Sequence, residues 1–85
     1  MKVLSFQRLH FGDKVKWDEM FDSEGELIEI VKNINVVQFQ DKGCKGYSYI
    51  EGFQRTLSSG NDLSRAQLTQ LKRLAKEVYK YHMNL

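Results

Sequence analysis

Cys44 has the surroundings of a reactive nucleophile. Lys42 and Lys45 stand close by, and cations at that range favour the thiolate; Gly43 and Gly46 leave the thiol accessible. A nucleophile also needs a base, and neither histidine is near in sequence. His10 lies in an alternating stretch and His82 at the end of a helical one. The same three residues lack the short ligand spacing of structural zinc sites, so no metal is expected. Asp18, Glu19, Asp22, Glu24, Glu26 and Glu29 supply carboxylates, but acids this closely set read as a solvated face or as dipole-capping groups at a helix start. Gly43-Cys44-Lys45-Gly46 is too short for a phosphate-cradling loop. The expectation is a protein that binds and does not catalyse, with no cofactor.

The binding chemistry on offer is cationic. Between Leu63 and His82, Arg65, Lys72, Arg73, Lys76 and Lys80 fall within roughly 100° of arc on a helical wheel. Leu68, Leu71, Ala75, Val78 and His82 recur on the opposite side at steps of three and four. Glu77 is the only acid inside this helix, whereas a solvated face more often mixes both signs. Such a stripe can track phosphates, joined by Lys42, Lys45 and Arg55 if the fold brings them near. Tyr79 borders the basic sector, and Tyr47 and Tyr49 lie beside the lysine loop, where aromatic rings offer platforms for unpaired bases. Core or rim packing is the plainer role for the tyrosines, more so for Tyr49 and Tyr81 than for Tyr79. RNA or another nucleic acid is thus the first expected partner. A protein with an acidic groove is the competing one, and the acids of 18–29 could conversely imitate nucleic acid.

Charge is unevenly divided along the chain. Residues 1–40 hold five Lys/Arg against seven acids, giving −2, and residues 41–85 hold eight against four, giving +4. The split points to an acidic partner or to attraction between the two halves.

These groups must be positioned by local elements. Ser64 and Gln67 form a capping box at the start of the long helix, with Leu63 and Leu68 as its hydrophobic staple. Leu4 and Phe6, then Leu9 and Phe11, alternate with polar residues up to Gly12-Asp13, and 14–17 alternate again, so the N-terminus reads as a β-hairpin with Trp17 anchoring the core. Ser23 and Glu26 suggest a short helix over 24–33, although β-branched Ile28, Ile30 and Val31 would also suit a strand over 26–31. Val36 to Gln40 reads as a strand closing the sheet, and 41–46 as a loop. Ser48 and Glu51 give a third capping pattern, opening a helix that ends at Ser58-Ser59-Gly60 with Gly60 left-handed. The expected fold is α+β in a single domain over 1–85. Residues 1–40 are mainly strands of a small antiparallel sheet plus a possible helix, and residues 48–85 are a helical hairpin.

Eighty-five residues with 41% hydrophobic content build one modest core, so a partner or a second copy in a homo-oligomer would add useful stability. One cysteine excludes an internal disulfide, and neither a leader pattern nor an apolar run near 18 residues is found. The cytoplasm is the expected compartment, without a membrane partner.

In size and texture over all 85 residues, the chain resembles the small accessory proteins of T-even-type bacteriophages, which are compact, cysteine-poor and cytoplasmic and act by binding host or defence factors. The resemblance carries no residue roles across. It implies a stoichiometric, antitoxin-like inhibitor in the host cytoplasm, for example of an RNA-cutting toxin, with RNA in the complex.

Overall fold

The computed structural model describes residues 1–5 and 15–84, which contain six helices and no strand. These are α1 Trp17–Met20, α2 Glu24–Lys32, α3 Val36–Asp41, α4 Tyr47–Ser58, α5 Arg65–Arg73 and α6 Ala75–Met83. The expected α+β architecture is therefore corrected to a small helical domain. Most of the expected hairpin, including Phe6, Leu9, His10, Phe11 and the Gly12-Asp13 turn, lies outside the described residues. Its last residue, Trp17, opens α1 instead of ending a strand.

The expected strand at 36–40 is a helix for a local reason and a distant one. Asn35 Oδ1 accepts the Gln38 backbone N–H at 3.2 Å, which caps α3. Phe39 is then fully buried, with its ring 5.5 Å from that of Tyr81. Helix α2 takes the helical alternative for its segment. Ser23 Oγ accepts from Glu26 N at 3.1 Å, but the Glu26 carboxylate does not close the box and accepts instead from Asp22 N and the Met1 amino group. Helix α4 starts one residue before the expected cap: Gly46 holds the N-cap position in the left-handed region, and no side chain caps the helix. Its end is as read. Gly60 has φ +86°, and Gly60 N and Asn61 N donate to Leu57 O and Thr56 O, the paired bonds of a Schellman motif.

The long C-terminal helix is capped as expected by Ser64 and Gln67, with reciprocal bonds of 3.1 and 3.0 Å. It is not continuous, however. Leu74, at φ −92° and ψ 1°, ends α5 and starts α6. The two parts pack on different neighbours. The Gln67 capping side chain also donates from Nε2 to Thr56 Oγ1 at 2.8 Å, tying α5 to α4. Helix α6 instead packs on α1 and α2, with Phe21 and Tyr79 edge to face at 6.0 Å.

All six helices or their caps feed one core of Met20, Phe21, Leu27, Val31, Ile34, Phe39, Ile50, Phe53, Leu71, Ala75, Val78 and Tyr79. Among the described residues no polar side chain besides the Tyr79 phenol reaches it, and that hydroxyl accepts from Leu4 N at 3.1 Å and donates to Lys2 O at 2.9 Å. The N-terminal segment is further held by Lys2 N donating to Met20 O and by the Met1 amino group, 2.8 Å from Asp22 Oδ2 and 3.1 Å from Glu26 Oε2.

Two predictions follow from these contacts. A Cβ on Gly46, whose φ is +89°, would lie 2.7 Å from Leu74 Cδ2, whereas one on Gly52 would meet nothing within 4 Å. Gly46→Ala should thus cost about 1–2 kcal/mol from backbone strain alone, while Gly52→Ala in mid-helix should gain about 0.4–1 kcal/mol. Denaturant titration of both variants checks the contrast in sign. The second concerns pH. Hydrogen bonds to Asp22 and Glu26 raise the Met1 amine above 8.0, and the bond from that amine holds Asp22 below 3.8. The amine's stabilisation is complete below its unfolded pKa of ~8 and fades as pH rises through the raised value. That of Asp22 is complete above ~4 and fades as pH falls through the lowered value. Acetylating the amine should lower the melting temperature at neutral pH and flatten its alkaline decline; an unchanged melting profile would refute the pair's contribution.

Candidate nucleic-acid interface

The cations expected to form one stripe divide into two groups. Lys72 is turned inward: its ammonium lies 4.8 Å over the Trp17 ring centroid and is ion-paired with Glu24. Trp17 is half-buried on α1 and packs against the edge of the core, with Lys72 over its ring. Lys80 stands 3.8 Å from Glu77 Oε2 on the same helix, a pair that an i,i+3 spacing makes legible in sequence. By contrast, Arg65 and Arg73 are exposed at the two ends of α5, and Lys76 is half-exposed in the first turn of α6. These three form no ion pair among the described residues.

The loop residues are brought partly to the same place. Lys45 N donates to Glu77 Oε1 at 2.9 Å, which fixes the loop against the start of α6 and leaves the Lys45 side chain exposed. Lys42 reaches the other end of α6, donating to Asn84 Oδ1 at 2.6 Å with its ammonium 5.2 Å over the Tyr81 ring. Arg55 is exposed in the second half of α4, and no contact ties it to the loop. Tyr79 leaves the candidate surface altogether. It is 1% exposed, since its wheel position borders the apolar stripe as closely as the basic sector and the core claims it.

The acids of 18–29 are largely absorbed by the fold. Glu19 Oε2 accepts from Lys16 N at the start of α1, Asp22 and Glu26 hold the Met1 ammonium, Glu24 holds Lys72, and Glu29 is 3.7 Å from Lys32. Little is left of this stretch as a nucleic-acid mimic. Among the described residues no three His, Cys, Asp or Glu gather where a metal could be held. A cavity of about 70 Å³ lined by Lys32, Gln54, Leu57 and Ser58 has room for only a couple of waters. The Gln54 amide on its wall is already committed to the carbonyls of Val31 and Ile34, at 3.0 and 2.8 Å.

Cys44 behaves oppositely to its sequence neighbourhood. Partial burial pushes its thiol above 9.0, the negative charge of Glu77 adds to this, and Lys80 and Lys42 only partly offset it. The cation that sequence counts as nearest, Lys45, is represented at this corner by its backbone bond to Glu77. Alkylation of Cys44 at pH 8 should therefore be slower than that of a free thiol, and Glu77→Gln should speed it; a rate at or above the free-thiol value would show the thiolate to be favoured after all.

Compared with protein-family models, with curated proteins and with solved structures, the chain matches none.

Proposed function

We propose that this protein binds RNA or another nucleic acid without transforming it, with phosphates held on Arg65, Arg73 and Lys76. The observation that supports this most is the presence of those three cations along α5 and the start of α6 with no acid paired to them among the described residues. A fold that pairs Lys72 and Lys80 internally but leaves these three to solvent keeps a cationic surface with no structural use for its charge. The alternative is a stoichiometric inhibitor that docks the same cations directly into an acidic groove of a host or defence protein, such as an RNA-cutting toxin. Either activity would operate in the cytoplasm, that of a host cell if the chain is phage-encoded. No helix among the described residues is long and apolar enough to cross a membrane.

The internal pairing sharpens the test. Three phosphate contacts give a slope of log K against log salt of about −2 to −2.7, whereas all five helix cations would give about −3.5 to −4.5. A titration of RNA and DNA at several salt concentrations should return a slope shallower than that of five contacts. Changing Arg65, Arg73 and Lys76 together to Gln should bring it to about −1 or shallower and leave helical content unchanged. A flat slope for the wild type would sink the nucleic-acid reading. A partner protein captured equally well before and after ribonuclease treatment would favour the alternative.

A further inference from the structure

Resting on the nucleic-acid reading above, we infer that the strand this surface takes is unpaired, with a base stacked on Tyr49 and flanking phosphates on Lys45 and Arg73. Tyr49 is a large aromatic side chain that the fold leaves 51% exposed, and its hydroxyl makes no hydrogen bond among the described residues. Its position on α4 decides which of the exposed tyrosines matters. Thr56, seven residues later, faces α5, since its Oγ1 accepts from Gln67 Nε2. Seven residues are within about 20° of two full turns, so Tyr49 occupies the same edge of α4. Tyr47 is about 200° away around the helix and belongs to the other side.

The height of Tyr49 along α5 follows from two contacts. Thr56 meets Gln67 near the start of α5, and Gly46 meets Leu74 just past its end, so the helices run antiparallel. Tyr49, three residues after Gly46, is therefore level with the last turn of α5, where Arg73 is exposed. Lys45 arrives at this corner from the loop, since its backbone N–H is bound to Glu77 in the first turn of α6. The carboxylate of Glu77 is there too, but it is occupied by that N–H and neighboured by Lys80.

An exposed ring with Lys45 one turn before it in the chain and Arg73 at the same height on α5 suits a nucleotide whose base is free to leave its stack. A duplex keeps its base faces covered and could offer only phosphates. At the same corner Gly46 of the loop lies against the Leu74 side chain at the break.

The experiment compares one labelled mixed-sequence oligonucleotide, as RNA and as DNA, single-stranded and annealed to its complement. Single strands of either sugar should bind at least about tenfold more tightly than the duplexes. Tyr49→Leu should weaken single-strand binding by about 5- to 150-fold, the range of one base–aromatic stack. The same variant should leave duplex affinity and the salt slope as they were, and Tyr49→Trp should retain wild-type affinity. Equal affinity for single strand and duplex, or a silent Tyr49→Leu, would overturn the inference while phosphate binding stands. Absence of salt-dependent binding to all four probes overturns both.

Discussion

The break at Leu74 sets how every other part of this domain is arranged. An unbroken helix from Arg65 to Met83 would run straight for about 28 Å. The apolar residues on its two halves need different partners. Leu71 is buried where α5 lies against α4, while Val78 and Tyr79 are buried where α6 meets α1 and α2. Neither glycine nor proline stands at the break, so the chain does not turn there by local preference. The packing of the Leu74 side chain on Gly46 accompanies it, and a glycine at φ +89° is what allows so close an approach.

Electrostatics follow from that geometry. Once α6 lies along α1 and α2, Lys72 at the end of α5 falls within reach of Glu24 and the face of Trp17. The acidic first half and the basic second half therefore attract each other in part, and the compositional split reports folding as well as partners. Desolvation matters equally at Cys44, where partial burial and a neighbouring carboxylate outweigh two lysines. Other cations, Arg65, Arg73, Lys76 and the side chain of Lys45 among them, form no ion pair among the described residues. Proximity in sequence is a poor guide to field strength in either case.

Tyr79 and Tyr49 show why a candidate site is harder to read than a helix. Both are tyrosines on amphipathic helices, flanked by cations along the chain. One fills the core with its hydroxyl bound to the backbone of Lys2 and Leu4, and the other is half in solvent. A position at the border of an apolar stripe is assigned by the neighbour that packs there, and in Tyr79's case that neighbour is the N-terminal segment, 75 residues away in sequence.

By itself the sequence determined the elements whose signals act within a turn or two. Ser64 with Gln67, Ser23 with the Glu26 amide, and Gly60 after α4 are short-range hydrogen bonds or backbone preferences, and each is found where it was read. It also determined that a cationic helix would exist near the C-terminus. Tertiary structure, added to the local Asn35 cap, decided that Val36 to Asp41 is a helix in spite of two adjacent valines, because burial of Phe39 against Tyr81 outweighs a weak β-preference. It decided the break at Leu74 and which lysines remain free. These depend on residues brought together from opposite ends of the chain, and no periodicity within one segment encodes them.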